Sequence, residues 1–571
     1  MTAVGPVGEA RRAVAGAIAA AVGRAASAGS LPAEARAALA GLGEAHVEVP
    51  RDNSHGDLAS TAPLRLAGPC RMPPRRIAEA ISAELDLSGM PVQKTEVAGP
   101  GFINFFLSPT WLNRTVAYIL AEGQDYGRSD VGRGAPVQVE FVSANPTGPL
   151  GVVNARAAAV GDTLASLLDA AGFRAQREYY VNDAGGQVRR LGRSVEARWL
   201  ELHGEEATIP EGGYRGEYIV DIARAYDAEH GEAARGMSPE ERAVSMGHFA
   251  TEMMVEDHKE NLARFGVVYD VWYSQEANVT QEAISETLAE LERRGHVYRR
   301  DGAVWLRTTT FGDDKDRVLV KSNGEPTYFL ADIAYHRDKF SRGFKEVIDL
   351  WGPDHDGHVR RMKAAVAALG QEAGALEILI VQWVRLMEGG ELARMSKRRG
   401  QIVPMKDLLD DIGVDASRFF FLMRSHDSHL DFDLELAKRQ TTENPVYYVQ
   451  YAHARISSIL RQPEAVADVK SLDEVLPELD LLTEPAESAL IRRLADFPEE
   501  VADAALAREP HRLTRYATDV ATAFHKFYDT CRVLVEGDPP LRRARLGLAA
   551  ATRIVLANSL ALCGVSAPES M

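Results

Sequence analysis

The sequence is poor in cysteine and in long apolar runs, and each shortage excludes a class of protein. Its 571 residues include only three cysteines, Cys70, Cys531 and Cys563, and none belongs to a C-x-x-C pair. A disulfide framework and a cysteine-based zinc site are therefore not expected, which fits a reducing compartment. No apolar run reaches the roughly 18 residues that span a bilayer, so we expect no membrane segment.

The sequence also has fewer positively than negatively charged residues. Lysine and arginine number 65 against 82 aspartates and glutamates, which gives a formal net charge of −17. Such a chain is not a general polyanion binder, so any nucleic acid must be bound through local basic patches and shape. The alanine-rich stretch 13–22 follows two arginines and loosely resembles a signal peptide, but its composition favours an amphipathic helix, and we expect a cytoplasmic protein.

The two common phosphate-binding signatures are missing. Residues 143–150 read SANPTGPL and connect a predicted strand, 137–142, to a predicted amphipathic helix, 154–171. They match neither the Walker loop nor G-x-G-x-x-G. A loop that leads into a helix still presents free backbone N–H groups and the positive end of the helix dipole, which suit phosphate. The residues alone leave a nucleotide site and a plain sharp turn both open.

The elements that are present indicate a multidomain α/β protein. A strand at 174–181 follows the helix, and such a β-α-β unit predicts a doubly wound, Rossmann-like parallel sheet. A charged helical insertion is predicted at about 187–300, and further strands at 303–307, 317–320, 346–351 and 375–381. The predicted parts are an N-terminal α+β domain (1–110), a linker helix (111–135), a catalytic domain (136–433) and an all-α helical bundle (434–571).

A cluster of cations lies beyond the last predicted strands. Residues 394–400 read RMSKRRG, with four cations within six residues. A basic loop is commonly just a solvated loop. One placed after the strands can instead fold over a ligand at the carboxyl edge of the sheet and stabilise charge that develops on a phosphate.

Two further polar clusters stand near predicted strands. In residues 327–336 (TYFLADIAYH), Tyr328 and Asp332 share one face if the segment is helical. A carboxylate beside a phenol can hold a guanidinium or ammonium group, although a surface aspartate in a first helical turn is the alternative. Residues 351–358 (WGPDHDGH) contain two aspartates and two histidines, and a strand-end loop directed at a ligand is favoured over a metal site.

In order and spacing, these segments resemble class I aminoacyl-tRNA synthetases and, more narrowly, arginyl-tRNA synthetases of the bacterial type. The similarity extends over nearly the whole chain and includes PRDNSHGDLAS, VEFVSANPTGPL, EYYVNDAG, PTYFLADIAYH, RMSKRRG, DASRFFFLMRS, NPVYYVQYAHARI and GVSAPESM. Many long matches in one order are far more specific than any single match. The resemblance implies an arginine–tRNA ligase that makes arginyl-adenylate from arginine and ATP and transfers the arginine to tRNA(Arg).

The resemblance also implies roles for individual residues. Lys397, with Arg394 and Arg398 nearby in the KMSKS-like loop 394–400, would be catalytic by stabilising the phosphates in the transition state. The implied ATP-binding residues are Asn145, Thr147, Gly148, Gly151, Asn154, Asp354, Ser396 and Lys397. The implied arginine-binding residues are Glu140, Asn145, Tyr328, Asp332 and His355. Magnesium would arrive with ATP and bridge its phosphates, and no structural metal is expected.

One departure from the family pattern falls in the ATP loop. After Leu150 the family has His-Ile-Gly-His, whereas this chain has Gly151, Val152, Val153 and Asn154. In class I enzymes the two histidines donate hydrogen bonds to ATP, and Val153 adds bulk where adenine would approach. Losing one transition-state donor can cost on the order of 100- to 1000-fold in rate. We expect a compensated, active enzyme; the alternative is an adenylation-impaired relative that binds arginine or tRNA without charging.

The C-terminal bundle would bind the anticodon. Its predicted contacts are a basic cluster and two tyrosines that can stack on unpaired bases, namely Arg542, Arg543, Arg545, Tyr447 and Tyr451. Packing inside the bundle is the alternative role for the tyrosines. The expected partners are thus tRNA(Arg), L-arginine and ATP, with no membrane, and the family expectation is a monomer.

Overall fold

The computed structural model describes residues 5–43, 46–50, 53–393, 403–468 and 476–571. Within these ranges the chain forms an N-terminal α+β unit, a central α/β unit and a C-terminal helical unit. This is the multidomain α/β architecture that the sequence predicts. The basic loop, with Arg394, Ser396, Lys397 and Arg398, lies outside the described residues.

The N-terminal unit packs helices against a four-stranded antiparallel sheet of order β1-β2-β4-β3. Its elements are α1 (Gly5–Ser27), α2 (Glu34–Ala40), β1 (Val47–Glu48), β2 (Leu58–Ser60), α3 (Ala62–Cys70), α4 (Pro74–Ala83), β3 (Val92–Ala98) and β4 (Phe102–Leu107). Ile18, Leu66, Ile77 and Phe105 are fully buried between the helices and the sheet. Helix α5 (Pro109–Glu122) then leads into the central unit.

The central unit is built on five parallel strands in the order β12-β11-β5-β6-β7. These strands are β5 (Pro136–Glu140), β6 (Arg174–Val181), β7 (Val271–Ser274), β11 (Glu346–Trp351) and β12 (Leu376–Ile380). From β5 the chain moves outward through β6 and β7, and it returns on the other side of β5 as β11 and β12. The strand order therefore reverses between β5 and β11, and doubly wound sheets bind ligands at the carboxyl ends of strands at such a reversal.

Helix α6 (Val152–Ala170) connects β5 to β6 and fixes the loop between them. Leu164, Leu167 and Leu168 are fully buried, as their helical spacing predicts. At Gly161 the helix approaches the strand so closely that a Cβ atom would lie 2.2 Å from the Phe141 ring. Glycine is thus required there, and the start of α6 is held close to the end of β5.

The structure corrects the prediction of one helical insertion over 187–300. Helices α7 (Gly186–Leu202), α8 (Glu217–Arg235) and α9 (Pro239–Arg264) form the insertion, but the chain then rejoins the parallel sheet at β7. Four residues carry too short an alternating signal to be recognised as a strand. The insertion is followed by α10 (Gln275–Asn278), α11 (Gln281–Arg293) and β8 (Val297–Arg300).

Two of the predicted strand segments belong to a separate sheet. Strands β9 (Ala303–Leu306) and β10 (Arg317–Val320) pair with β8 in a three-stranded antiparallel sheet rather than with the parallel sheet. The remaining elements of the central unit are α12 (Tyr328–Ser341), α13 (Asp356–Ala368), β13 (Val384–Glu388), β14 (Glu391–Leu392), α14 (Met405–Ile412), α15 (Val414–Leu422) and β15 (Leu430–Asp433).

The described residues after 434 are helices and their connections, as predicted. The helices are α16 (Leu434–Lys438), α17 (Pro445–Leu460), α18 (Pro463–Asp468), α19 (Pro485–Ala495), α20 (Phe497–Ala507), α21 (His511–Thr530) and α22 (Pro539–Leu562). Helix α22 has the length and hydropathy of a membrane span. Its apolar residues, among them Leu546, Val555, Leu556 and Leu560, are buried inside the bundle. We therefore interpret α22 as the core helix of this unit.

Candidate active site

The loop after β5 has a strained backbone that directs one hydroxyl to the sheet edge. Val142 and Ser143 have φ angles of +68° and +38°, which are costly for residues with side chains and most of all for a β-branched one. The Ser143 N–H donates to the Phe141 carbonyl at 3.0 Å and closes a three-residue turn. The Ser143 hydroxyl consequently donates to Glu140 Oε1 at 2.8 Å and accepts from the Tyr180 N–H at 3.1 Å.

Three carboxylates, which we call the carboxylate row, lie side by side across the sheet. Glu140 on β5 is in register with Asp349 on β11 and with Glu178 on β6, so the three side chains share one face. All three are buried. Buried carboxylates on neighbouring strands repel one another strongly unless cations are brought between them.

Helix α12 places a lysine between two of these carboxylates. Lys339 is fully buried, and its Nζ lies 2.5 Å from Glu140 Oε2 and 2.7 Å from Asp349 Oδ1. Burial alone would lower the pKa of Lys339, but Asp349, Glu140 and Glu178 outweigh that effect and raise the pKa above its ordinary value. Lys339 is therefore a cation at neutral pH.

Neighbouring turns of α12 complete the network around the carboxylate row. Arg342 donates to both oxygens of Glu178, at 2.6 and 3.0 Å. The Tyr335 hydroxyl lies 2.8 Å from Glu140 Oε2 and 2.6 Å from Glu178 Oε1. Glu140 is thus surrounded by the donors Ser143, Tyr335 and Lys339, and its position is fixed before any ligand arrives.

Asp332 lies on the same helix but stands apart from this network. Its carboxyl accepts no hydrogen bond from any residue that the structure describes. Burial, with a smaller contribution from Glu140, raises the pKa of Asp332 to about 6, against the opposing effect of nearby His336, Arg361 and His355. Asp332 is half-buried by its exposed surface, and a carboxyl in such a place without a donor is suited to a cationic ligand that brings its own N–H groups.

Tyr328 is the first residue of α12, so the predicted one-turn separation from Asp332 is present. The Thr327 hydroxyl caps the helix by accepting from the Leu330 N–H at 3.4 Å. The Tyr328 side chain is 79% exposed and stands near Gly185, where an added Cβ would lie 3.9 Å from the phenol oxygen. Tyr328 is therefore exposed at the start of α12, and Asp332, one turn later, is half-buried.

Asp354 and His355 reach the same edge from β11. They belong to a 3-10 turn, Pro353–His355, that directly follows the strand, and their side chains are 64% and 53% exposed. The Nε2 atom of His355 lies 3.4 Å from Asp354 Oδ2. Asn145, in the loop after β5, is exposed and accepts from Asn182 Nδ2 at 3.2 Å. The predicted arginine-site residues thus follow β5 and β11 or lie on α12, and the printed contacts of Asn145 and Tyr328 are with the segment that follows β6.

The variant ATP loop is fixed at the start of α6. Asn154 Oδ1 accepts from the Gly151 N–H at 2.9 Å, so Asn154 caps the helix and keeps its NH₂ group as a donor. The Val152 N–H donates to the Val403 carbonyl at 3.0 Å, and the Met405 N–H donates to the Leu150 carbonyl at 2.7 Å. The first described residues after the basic loop are therefore anchored beside the variant loop.

Comparison with known proteins identifies the family. Family models match residues 9–107 (arginyl tRNA synthetase N terminal domain), 115–428 (tRNA synthetases class I (R), catalytic domain) and 449–571 (DALR anticodon binding domain). A protein from Desulforudis audaxviator described as arginine–tRNA ligase is 53% identical over 525 residues, which are 92% of this chain and 93% of the relative. The chain belongs to the arginyl-tRNA synthetases.

Further comparisons agree with this assignment. An arginine–tRNA ligase from Desulforamulus reducens is 50% identical over 533 residues, which are 92% of this chain and 94% of the relative. The arginyl-tRNA synthetase structure from Thermus thermophilus has a TM-score of 0.71 over 98% of this chain and 100% of its own, at 24% identity, and so shows a common fold. The resemblance inferred from the sequence is confirmed, and this arginyl-tRNA synthetase is a class I enzyme.

The helical unit of this synthetase presents a strip of aromatic rings. Tyr447 and Tyr451 stack with ring centroids 6.1 Å apart and planes within 7°. Tyr451 also stacks on His525 at 6.1 Å, and the Arg455 guanidinium lies 4.0 Å from the centre of the Tyr528 ring. Both tyrosines are half-buried, so their predicted stacking on bases and their packing in the bundle are compatible. Their contact with tRNA stays a prediction.

The three arginines of the predicted basic cluster are held in ion pairs. Their partners are Asp468 for Arg542, Glu478 for Arg543 and Glu487 for Arg545. Arg545 is only 9% exposed, and the Glu487 side chain is fully buried. The tRNA role of these arginines stays a prediction, and the burial of Arg545 argues for a structural role there.

Sequence reasoning missed Glu178, Tyr335, Lys339 and Asp349. The available signal was a charged residue inside an otherwise apolar or aromatic strand, as Glu178 is in REYYV and Asp349 is in EVIDLW. Carboxylates seldom occupy buried strands unless they are paired. Such residues indicate a buried ionic network even when the partner is far away in the sequence.

The raised pKa of Asp332 predicts a pH dependence for arginine binding. A guanidinium is attracted to the ionised carboxylate only, so the affinity is full above the pKa and falls as the pH drops through about 6. We expect KM for arginine to rise about tenfold from pH 7.5 to pH 5, whereas KM for ATP changes much less. Steady-state charging at fixed ionic strength measures both, and a flat arginine profile down to pH 5 would contradict the prediction.

Proposed function

We propose that this synthetase activates L-arginine with ATP and Mg²⁺ to arginyl-adenylate and transfers the arginine to the 3′ end of tRNA(Arg). The observation that supports this most is the Asp332 carboxyl, which faces the β5/β11 reversal without a hydrogen-bond donor among the described residues. A carboxylate in that position selects a cationic side chain.

In this proposal the arginine guanidinium binds Asp332, with the Tyr328 phenol covering it from the rim. Glu140 adds negative charge at the pocket floor, where Ser143, Tyr335 and Lys339 hold it in place. Asn145 and His355 would contact the amino-acid end of arginine. A neutral side chain would leave Asp332 unpaired, and a site built around a buried polar group rejects substrates that cannot pair with it.

The nucleotide would lie along the start of α6. The side-chain amides of Asn145 and Asn154, the Thr147 hydroxyl and the Gly148 N–H would supply donors there. Gly151 would lie beside them, with its own N–H bonded to Asn154 Oδ1, and the helix dipole favours phosphate. The arginine carboxylate oxygen attacks the α-phosphorus, and the bond to the departing pyrophosphate breaks. Asp354 and Ser396 would also contact ATP, while Lys397, Arg394, Arg398 and Mg²⁺ would offset the charge that develops on the phosphates.

In the second step a terminal ribose hydroxyl of tRNA attacks the carbonyl carbon of the adenylate, and AMP leaves. Tyr447 and Tyr451 would stack on anticodon bases, and the half-buried, ion-paired Arg542 and Arg543 would approach the phosphate backbone. We further propose that the protein acts as a monomer in the cytoplasm.

Charging of bacterial tRNA tests this proposal. Purified full-length protein with ATP and magnesium is expected to attach labelled arginine to tRNA and to leave citrulline, the uncharged analogue, unattached. The citrulline arm is the matched control, because the two substrates differ mainly in the charge that Asp332 would meet. Arginine binding without any charging would contradict the ligase function and would mean that the Gly151–Asn154 loop no longer supports adenylation.

A further inference from the structure

The backbone of the ATP loop is held by side chains from outside the loop. Four carbonyl oxygens of residues 141–148, which include the end of the segment leading into the loop, accept hydrogen bonds from aromatic hydroxyls or an imidazole. The contacts are Tyr269 to Phe141 O at 3.0 Å, Tyr179 to Ala144 O at 3.0 Å, Tyr218 to Thr147 O at 2.7 Å and His258 Nε2 to Gly148 O at 2.8 Å.

Two of these four side chains come from the helical insertion. Tyr218 lies in the first turn of α8, and His258 lies near the end of α9. Neither helix belongs to the parallel sheet, so neither contact is needed to build the sheet itself. They join the insertion to the two residues, Thr147 and Gly148, that stand just before the variant segment of the loop.

The contact with Tyr218 also depends on the glycine at 148. A Cβ added to Gly148 would lie 3.1 Å from the Tyr218 hydroxyl oxygen and 3.3 Å from the adjacent ring carbon. The absence of a side chain therefore lets the phenol approach the backbone closely enough to bond the Thr147 carbonyl. The insertion and the loop fit each other by shape as well as by hydrogen bonding.

His258 is fully buried and connects the loop to the sheet. Its Nε2 faces the Gly148 carbonyl, and its Nδ1 lies 2.9 Å from the Tyr179 hydroxyl. Burial lowers the pKa of His258. In the neutral ring Nε2–H donates to the Gly148 carbonyl, and the single proton of the Tyr179 hydroxyl is shared between Nδ1 and the Ala144 carbonyl. The ring thus bonds a half-buried carbonyl to which no other described residue donates.

We propose that Tyr218 and His258 are positioning residues, through which the helical insertion holds the variant ATP loop in its nucleotide-binding shape. The loop lacks both family histidines and contains two residues at positive φ, so its geometry has to be imposed from outside. Groups that preorganise donors toward ATP raise the rate even when they do not touch it. This inference rests on the proposed function.

The test compares two tyrosines of the same helix. Tyr218→Phe removes the hydroxyl that holds the ATP loop, while Tyr226→Phe removes a buried hydroxyl that lies 2.7 Å from Ser245 Oγ, within the insertion. With the full-length enzyme and tRNA, we expect Tyr218→Phe to raise KM for ATP roughly fivefold, in line with the loss of one hydrogen bond, and to leave KM for arginine within twofold. Tyr226→Phe should leave both unchanged.

A second pair of variants separates positioning from folding. His258→Gln keeps an N–H donor for the Gly148 carbonyl and an acceptor for Tyr179, whereas His258→Leu has neither. We expect the leucine variant to lose at least about tenfold in kcat/KM for ATP and the glutamine variant to recover much of it, at matched melting temperatures. Equal effects of Tyr218→Phe and Tyr226→Phe, or no rescue by glutamine, would overturn the inference. Failure of the wild-type enzyme to charge arginine would instead overturn the proposed function.

Discussion

An Asp332→Asn variant is expected to lose between roughly 30-fold and 4000-fold in kcat/KM for arginine. Truncating one partner of a buried, hydrogen-bonded charge pair costs about 2–5 kcal/mol, and each 1.4 kcal/mol is a factor of about ten. Asparagine keeps the shape of the side chain but turns one acceptor into a donor that faces the guanidinium. The loss should fall on arginine, because Asp332 lies on α12, whereas the proposed nucleotide contacts lie mainly in the loop before α6 and in its first turn.

Asp338→Asn is the matched control for that variant. Asp338 is on the same helix, but its carboxylate is 38% exposed and is paired with Arg342 Nε at 3.0 Å. The same chemical change should therefore alter kcat/KM for arginine by less than about threefold. Steady-state charging with arginine and ATP varied separately measures both variants. An Asp332→Asn enzyme with a normal KM for arginine would exclude Asp332 from the arginine site.

Part of this site could be predicted from the sequence, because the relative positions of some of its residues are set by local structure alone. Tyr328 and Asp332 are one helical turn apart in any fold in which their segment is helical. The loop 143–150 lies directly before a predicted helix, so its position at the start of that helix is also a local property. The β-α-β unit around that loop could likewise be predicted from the spacing of its apolar residues. Where the predicted residues are consecutive or one turn apart, the structure places them as the spacing predicts.

The rest of the site depends on strand order, which local patterns do not contain. Glu140, Glu178 and Asp349 become neighbours only because β11, β5 and β6 are adjacent and in register. The same limit applies to the helical unit. The sequence predicts Arg545 as part of a basic cluster, but in the structure it is paired with Glu487, which is 58 residues away in the chain. Long-range pairing turns isolated charges into structural ion pairs.

A Lys339→Met variant is expected to lower the free energy of unfolding of the catalytic unit by about 3–5 kcal/mol. Methionine fills a similar volume but leaves Glu140 and Asp349 buried without the cation between them, and removing one member of a buried ionic cluster has that cost. The same change should weaken arginine binding, because Lys339 helps to hold Glu140 at the pocket floor. Urea unfolding of the catalytic unit measures the change in the free energy of unfolding, and KM for arginine measures the change in arginine binding.

The pH dependence distinguishes this ionic mechanism from a simple packing defect. Burial would raise the pKa of Asp349, but Lys339 and His336 hold it below the ordinary value. A carboxyl with a depressed pKa contributes stability above its unfolded pKa of about 4 and loses that contribution as the pH falls toward the folded pKa. The stability gap between wild type and Lys339→Met should therefore be widest near pH 7 and should narrow below about pH 4. Lys321→Met, at a lysine that is 54% exposed and forms a surface ion pair with Glu325, should change stability by less than about 0.5 kcal/mol. A gap that stays constant with pH would mean that lost packing, and not the unpaired carboxylates, destabilises the variant.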